Sequence, residues 1–143
     1  MSYSIVLAED QSLIRDSLKT LISSHDDLDV CGTACNGHEA LDLCRTLHPD
    51  IALPDVRMPN MSGLEVAAAL RQEELECRIV LLTTFEEEQV FTEALSLGVE
   101  GVFLKDIQPD VFASALLCIA RGLQDRTQIA VYAIRNRLIE DLD

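Results

Sequence analysis

The fold class of this chain is indicated first by the sequence SIVLAED at residues 4–10, a short apolar run that ends abruptly at two acidic residues. The run shows no alternation of apolar and polar residues, so both faces of the strand that it predicts are buried. Strands of this kind are typical of a parallel sheet covered by helices on both sides. We therefore expect an α/β fold whose first strand ends at Glu9 and Asp10.

Similar apolar runs recur along the chain, although the one at 28–34 is weaker and shows some alternation. Further strands are predicted at 28–34, 50–54, 78–82 and 101–104. Amphipathic helices are predicted between and after them, at 11–23, 37–47, 62–72, 87–97 and 109–121. This alternation of strand and helix predicts a three-layer (βα)5 fold, a doubly wound parallel sheet between two layers of helices.

Length and composition exclude several classes of protein. With 143 residues, 48% of them hydrophobic and 25% charged, the chain suits one folded domain rather than a disordered tail. Its formal net charge of −14 makes DNA binding by this chain alone unexpected. No apolar run approaches the about 20 residues of a membrane span, and residues 1–4 do not begin a secretion signal. We expect a cytoplasmic protein with no membrane contact.

The five cysteines are an odd number, and their spacing is not that of a zinc site. They are Cys31, Cys35, Cys44, Cys77 and Cys118. We predict that they are reduced and mostly buried, acting as small apolar residues.

Polar residues of complementary chemistry stand at the carboxyl ends of the predicted strands. Glu9 and Asp10 follow the first strand, Asp55 the third, Thr83 the fourth and Lys105 the fifth. Ligand sites of doubly wound sheets lie at this edge, where the strand order reverses. Converging carboxylates repel one another unless a cation lies among them, and Mg²⁺ is a hard cation that prefers such oxygen ligands.

This set of side chains suits transfer of a phosphoryl group to an aspartate. A carboxylate acts as nucleophile, while a divalent cation, an ammonium and a hydroxyl hold the transferred oxygens. Because the sequence has no glycine-rich nucleotide loop, we expect the phosphoryl group to come from another molecule. Each residue alone has a simpler interpretation as a helix cap, an exposed charge or a strand former. The functional interpretation depends on all five standing at strand ends.

Five short motifs resemble the receiver domain of two-component response regulators, and within that family the NarL/LuxR type. They are AEDQ at 8–11, DVRMP at 55–59, MSGLE at 61–65, LTTF at 82–85 and LKD at 104–106. The resemblance implies a receiver domain over residues 1–122 with the flavodoxin-like (CheY-like) fold.

The resemblance also implies a role for three of the strand-end residues. Asp55 would be the phosphoacceptor, and a sensor histidine kinase would supply the phosphoryl group. Thr83 would move toward the phosphoryl oxygens and Lys105 would pair with the phosphate. Phosphorylation adds roughly −1.5 to −2 charge, to which the following helix would respond. The chain would have no external substrate, so we do not expect an enzyme.

One metal site is implied in the same way. Mg²⁺ would be bound by Glu9, Asp10 and Asp55, with the backbone carbonyl of Arg57 as a further ligand. In this family the positions of Arg57 and Phe85 tune the attack of water on the acyl phosphate. A bulky Phe85 beside a cationic Arg57 predicts slow loss of phosphate.

Two residues depart from the family's pattern. The switch aromatic of the family lies three residues before the lysine, where this chain has Val102. Phe103 follows it, and we expect Phe103 to pack in the core on the opposite face. Pro54 lies in a predicted central strand, where proline removes a hydrogen-bond donor. It either distorts the neighbouring Asp55 and weakens phosphorylation or is accommodated locally.

The fifth predicted helix has more apolar residues than one buried face requires. They are Val111, Phe112, Ala113, Ala115, Leu116, Leu117, Cys118, Ile119 and Ala120. Surplus apolar surface indicates an interaction face. We expect a homodimer formed through the first and fifth helices, as in similar NarL/LuxR-type receivers. A helix covered by the C-terminal tail is the alternative.

Residues 123–143 resemble the last helix of a LuxR-type helix-turn-helix domain, and the rest of such a domain has no room in this segment. DNA would be a partner only of a full-length parent protein. The segment either docks on the receiver, pairs with a second copy or stays unattached.

Two other classes of protein share part of this pattern. Hydrolases of the haloacid dehalogenase type also use an aspartate, Mg²⁺ and a lysine, but they need a second aspartate where this chain has Arg57. A phosphate-independent pseudo-receiver, acting as an adaptor, is the alternative that Pro54 and Val102 leave open.

Overall fold

The computed structural model describes residues 2–83, 88–105 and 108–122, along which strands and helices alternate. The elements are β1 (Tyr3–Ala8), α1 (Ser12–Ser23), β2 (Leu28–Ala34), α2 (Gly37–Leu47), β3 (Ile51–Pro54), α3 (Gly63–Gln72), β4 (Arg78–Thr83), α4 (Glu88–Leu97), β5 (Gly101–Leu104) and α5 (Pro109–Arg121). The predicted (βα)5 order is confirmed, and each boundary lies within one residue of its predicted position. Phe85 and the predicted helix at 123–143 lie outside the described residues.

The described strands form one parallel sheet in the order β2-β1-β3-β4-β5. The strand order reverses between β1 and β3, which is where doubly wound sheets open a site at their carboxyl edge. Ala8 at the end of β1 pairs with Pro54 at the end of β3. Glu9 and Asp55, the residues that follow, therefore leave the sheet side by side.

The sheet separates two apolar cores. One core joins the sheet to α1 and α5, and the other joins it to α2, α3 and α4. Successive residues of a strand point to opposite faces, so Ile5 and Leu7 of β1 belong to the first core and Val6 to the second. The prediction of strands buried on both faces is confirmed for β1, β3, β4 and β5, whereas β2 alternates with exposed residues.

Several helices begin or end at the residues that their sequences predict. Ser62 caps α3, because its Oγ accepts from the N–H of Glu65 (3.2 Å) while the Glu65 side chain accepts from the N–H of Ser62 (3.3 Å). Gly98 and Gly122 follow α4 and α5 with φ of 67°, in the left-handed region that glycine adopts without strain. Among the described residues, none of the helices has the length and apolar content needed to cross a bilayer.

Pro54 lies in the middle of the sheet, between β1 and β4. Pairing with β4 stops before this residue and resumes as a bridge between Asp55 and Leu82. The N–H of Asp55 donates to the carbonyl of Ala8 (2.9 Å), and the N–H of Val56 donates to the carbonyl of Leu82 (2.7 Å). The gap in the pairing with β4 thus covers Leu53 and Pro54, and the backbone of Asp55 is held from both sides.

Val102, at the position of the family's switch aromatic, and the following residue Phe103 lie on opposite faces of β5. Phe103 is fully buried in the first core, where its ring meets that of Phe112 edge-on with centroids 5.6 Å apart. Val102 is buried in the second core. The prediction that Phe103 packs in the core is confirmed.

Most of the apolar surface of α5 is covered. Phe112, Ala113, Leu116, Ile119 and Ala120 are buried, and Val111, Ala115, Leu117 and Cys118 are half-buried. Among the described residues, the exposed large hydrophobic side chains are Leu13, Leu47 and Leu95, which belong to other helices. The described surface of α5 is therefore less apolar than its sequence alone indicates.

The prediction of mostly buried cysteines is wrong. Cys44 and Cys77 are buried, but Cys31 and Cys35 are exposed and Cys118 is half-buried; all five are free thiols. Cys31 lies on β2, which stands at the edge of the described sheet beside β1. Its exposure is a consequence of strand order.

Candidate functional site at the carboxyl edge of the sheet

The predicted acidic residues and the lysine meet at the carboxyl edge of the sheet. Glu9, Asp10 and Asp55 each bring one carboxylate oxygen within 4.8 Å of the other two. The Lys105 Nζ donates to Asp55 Oδ2 (2.8 Å) and also contacts Glu9 Oε1. Four of the five strand-end residues are thus brought together, and the lysine bridges two of the carboxylates.

Thr83 completes the set from the next strand. It is the last residue of β4 and is buried, one position after Leu82, which forms the bridge with Asp55. The carbonyl of Thr83 accepts from the N–H of Lys105 (2.8 Å). The ends of β4 and β5 are therefore tied together beside Asp55.

The site has more negative than positive charge. Glu9 is 0% exposed and Asp55 is 4% exposed, and buried carboxylates are costly without a cation beside them. A hydrogen bond to Glu9 raises the pKa of Asp10, and partial burial and repulsion by Glu9 raise it further. The cluster therefore has the donor chemistry that a small, hard divalent cation requires.

Lys105 stays charged in this environment. Partial burial lowers the pKa of its ammonium, but hydrogen bonds to Asp55 and Glu9 outweigh burial and raise that pKa above its ordinary value. One ammonium thus offsets part of the negative charge without neutralising the whole cluster.

The acidic turn after β1 is held from both of its sides. The N–H of Glu9 donates to the carbonyl of Ala34 (3.0 Å), which extends the pairing of β1 with β2. From α1, the guanidinium of Arg15 donates to the carbonyl of Glu9 (2.9 Å). The N–H of Gln11 donates to the Glu9 carboxylate (3.3 Å). Arg15 is a residue that the sequence pattern does not reveal, since its contact depends on how α1 turns back over β1.

The loop after Asp55 is held by two glycines. A Cβ built on Gly63 would lie 2.9 Å from the carbonyl carbon of Asp55 and 3.0 Å from the Cα of Val56. A Cβ built on Gly37 would lie 2.6 Å from the Cβ of Met61. The distances of 2.9 Å and 2.6 Å are shorter than real Cβ contacts, so α3 and α2 approach the loop this closely only because these residues are glycine. In the sequence both look like ordinary helix starts.

A cleft of about 640 Å³ opens beside the site, between the loop after β3 and the start of α4. It is lined by Asp10, Val56, Arg57, Met58, Pro59, Ser62, Leu64, Gln89, Val90 and Glu93. The backbone N–H of Arg57 donates to Asp55 Oδ1 (3.3 Å). The cleft gives a donor molecule an open approach to the cluster, and Arg57 lies at its margin.

Comparison with known proteins identifies the class to which this site belongs. The chain matches the response regulator receiver domain over residues 5–117. It belongs to this family, the receiver domains of two-component response regulators. The general role of the domain is to carry a phosphoryl group on an aspartate, and receiver domains generally bind Mg²⁺ at an acidic pocket and work with sensor histidine kinases.

Similar curated proteins are transcriptional response regulators. The nitrate/nitrite response regulator protein NarL of Escherichia coli K12 is 38% identical over 118 residues, 82% of this chain and 55% of that protein. The transcriptional regulatory protein DesR of Bacillus subtilis is 34% identical over 139 residues, 97% of this chain and 65% of that protein. The chain thus spans roughly half to two thirds of the length of these relatives.

Solved structures confirm the flavodoxin-like receiver fold. The signal receiver domain of NarL from Mycobacterium tuberculosis superposes with a TM-score of 0.81 at 36% identity, covering 85% of this chain and 98% of that chain. A LuxR-family response regulator from Aurantimonas sp. SI85-9A1 superposes with a TM-score of 0.83 at 25% identity, covering 96% of this chain and 99% of that chain.

Proposed function

We propose that this chain accepts a phosphoryl group on Asp55 from a sensor histidine kinase, with Mg²⁺ held by Glu9, Asp10, Asp55 and the backbone carbonyl of Arg57. The single observation that carries this proposal is the convergence of three carboxylates and one ammonium. One oxygen from each carboxylate lies within 4.8 Å of the other two, and the Lys105 ammonium contacts the carboxylates of Glu9 and Asp55. A receiver with this site acts on its own side chain and turns over no external substrate.

Asp55 is the carboxylate best suited to act as nucleophile. Its Oδ2 accepts from Lys105 and its Oδ1 accepts from the N–H of Arg57. The carboxylate attacks the phosphorus of a phosphohistidine, the P–N bond breaks, and the imidazole nitrogen leaves with the electron pair and takes up a proton. The product is an acyl phosphate on Asp55.

The neighbours of Asp55 support roles in holding the new phosphoryl oxygens. The Lys105 ammonium is 2.8 Å from Asp55 Oδ2, so it can follow the negative charge as this charge moves onto phosphorus-bound oxygens. Thr83 ends the adjacent strand and can donate its hydroxyl to another of these oxygens. Movement of Thr83 would carry the change into the chain that leads to α4.

The donor set fits a magnesium ion. Glu9, Asp10 and Asp55 supply hard oxygen ligands. The pKa of Asp10 is raised first by its hydrogen bond to Glu9, then by partial burial and by repulsion from Glu9, as in a cluster that is short of positive charge. When bound, Mg²⁺ would neutralise negative charge on the phosphoryl group in the course of transfer.

Phosphorylation shifts the chain between monomer and homodimer through α1 and α5, and in a longer parent protein this shift controls transcription. Two observations support this choice of surface: α1 and α5 share one face of the sheet, and Leu13 of α1 is 79% exposed. LuxR-type receivers often dimerise. A cytoplasmic location agrees with five free thiols.

A phosphate-independent pseudo-receiver is the second candidate. Val102 favours it, because a buried aliphatic side chain stands where the family has its switch aromatic. Without that aromatic, movement of Thr83 has no ring to draw inward, and the chain would act as a constitutive adaptor.

The test is incubation with Mg²⁺ and acetyl phosphate, read by intact mass and light scattering. We expect addition of one phosphoryl group, a magnesium requirement and a change of association state. Asp55→Asn should abolish the addition, whereas Asp42→Asn, at an aspartate whose side chain is 75% exposed on α2, should leave it intact. A pseudo-receiver would remain unmodified, and a hydrolase would consume many equivalents of acetyl phosphate.

A further inference from the structure

Arg71 of α3 links three elements at the amino edge of the sheet, opposite the phosphoacceptor site. Its guanidinium donates to Glu100 Oε1 (2.8 Å) and to the carbonyls of Gly98 (2.8 Å), Leu97 (3.3 Å) and Cys77 (3.4 Å). We call these contacts the Arg71 clasp. It joins the end of α3 to the end of α4 and to the starts of β4 and β5.

The clasp complements the way in which α4 ends. Gly98 has φ of 67°, its N–H donates to the carbonyl of Leu95 (3.1 Å), and the N–H of Val99 donates to the carbonyl of Ala94 (3.2 Å). This pair of bonds is a Schellman motif, which satisfies two of the carbonyls that a helix leaves open at its end. The carbonyls of Leu97 and of Gly98 itself lie beyond its reach, and the clasp binds both.

Glu100 fixes the clasp to the sheet. Its Oε1 accepts from Arg71 and from the backbone N–H of Ile79 (2.7 Å). The N–H of Glu100 in turn donates to the carbonyl of Ile79 (2.8 Å). Glu100 is 7% exposed, so water screens this ion pair less than a surface pair. The cation also lies at the negative end of the helix dipole, where it is favourable.

The other end of α4 has different surroundings. Gln89, Val90 and Glu93 line the open cleft that also borders Asp10. The described part of α4 therefore has one end held by charged hydrogen bonds and one end facing a cavity beside the phosphoacceptor site.

We propose that the Arg71 clasp is the fixed pivot of α4, so that this helix opens from its N-terminal end while its C-terminal end stays attached to β4 and β5. The regulatory meaning of this pivot rests on the proposed function, because phosphorylation of Asp55 would be the event that moves the N-terminal end. The pivot itself is a property of the unmodified protein.

Amide hydrogen exchange of the full chain, resolved by NMR, tests the pivot without phosphorylation. The rates at Gly98 and Val99 are compared with those at Thr92 and Glu93, and all are normalised to the slowest amides of the sheet. We expect the C-terminal pair to exchange more slowly than the pair nearer the cleft, although helix ends ordinarily fray. Equal rates, or the reverse order, would overturn the proposal.

Variants assign the effect to the clasp. Arg71→Lys keeps the charge but cannot reach all of the carbonyls and Glu100 together, and we expect Gly98 and Val99 to exchange about tenfold faster or more. Glu100→Gln keeps an acceptor for Ile79 and should give a smaller increase. Arg45→Lys is the matched control, since Arg45 pairs with Glu73 on the surface between α2 and α3. Unchanged normalised rates in Arg71→Lys would refute the pivot.

A second arm separates this inference from the proposed function. With Mg²⁺ and acetyl phosphate, exchange should change at Thr92 and Glu93 and stay unchanged at Gly98 and Val99 in the wild type, but change at both ends in Arg71→Lys. Change at both ends of the wild-type helix would refute the pivot. If intact mass shows no phosphoryl group, the proposed function fails, and the exchange gradient of the unmodified protein decides the pivot alone.

Discussion

Replacing Gly63 by alanine tests how the loop that carries Asp55 is held. An alanine Cβ would lie 2.9 Å from the carbonyl carbon of Asp55 and 3.0 Å from the Cα of Val56. The Cβ would come closer still to the carbonyl oxygen of Asp55. Favourable carbon–carbon separations begin at about 3.5 Å, so α3 and the loop must move apart by at least roughly half an ångström. The atoms that must yield are backbone, which has little freedom here because the N–H of Gly63 donates to the carbonyl of Val56 (3.0 Å).

The expected cost follows from two opposing effects. Forced overpacking of a close contact costs about 1–3 kcal/mol, whereas alanine is a better helix former than glycine by up to about 1 kcal/mol. We therefore expect Gly63→Ala to lower the free energy of unfolding by about 1–2 kcal/mol. The same shift would move Asp55 relative to Lys105 and slow its phosphorylation.

Urea unfolding followed by circular dichroism measures the stability change, with Gly32→Ala as the matched control. A Cβ on Gly32 would meet only the far ends of the Leu47 and Leu43 side chains, at 3.1 Å and 3.4 Å. These flexible ends can yield, so the control should change stability by less than the Gly63 variant. If Gly63→Ala were as stable as the wild type and were phosphorylated at the same rate, the close approach of α3 would not be what holds the loop.

Three further predictions concern charge and backbone conformation. Asp10→Asn should raise the melting temperature near neutral pH without magnesium, because the folded-state pKa of Asp10 is raised and its charged form therefore opposes folding as pH rises above its unfolded pKa. The same variant should lose the stabilisation that added Mg²⁺ gives the wild type. A thermal melt with and without Mg²⁺ checks both expectations. The pKa of Lys105 is raised in the folded state, so the stability that its charge contributes is complete below the unfolded pKa and is lost as pH rises through the folded pKa. Lys105→Met should remove this loss of stability at alkaline pH. The measurement is the difference in urea midpoint between pH 9 and a pH above about 10.4. His48 ends α2 with φ of 47°, and His48→Gly should raise the free energy of unfolding by about 0.5–1 kcal/mol; an unchanged urea midpoint would contradict this.

Element order is the part of the fold that local sequence determines. The strand at 4–8 is recognisable because its apolar run ends at charge, and Gly98 and Gly122 stop their helices by adopting a conformation that other residues avoid. These signals need no knowledge of neighbours in space. They therefore predict the (βα)5 fold with boundaries within one residue.

The site is predictable only in its chemistry. Strand-end residues meet because parallel strands share a carboxyl edge, which is why Glu9, Asp10 and Asp55 could be grouped before their distances were known. The contacts of Gly37 and Arg15 depend on how helices pack over distant loops. No local pattern predicts them.

The error over the cysteines has a similar cause. A cysteine on a strand looks buried when the strand is taken to lie within the sheet. Cys31 is exposed because β2 is an edge strand, and strand order is a property of the whole fold.

Chemical mapping of the acyl phosphate tests the central claim most directly. The protein is treated with acetyl phosphate, reduced with borohydride, which converts an aspartyl phosphate to homoserine, and digested for peptide sequencing. We predict homoserine at position 55, formed only when magnesium is present. Homoserine at another aspartate, or none at any magnesium concentration in a protein that remains folded, would contradict the account.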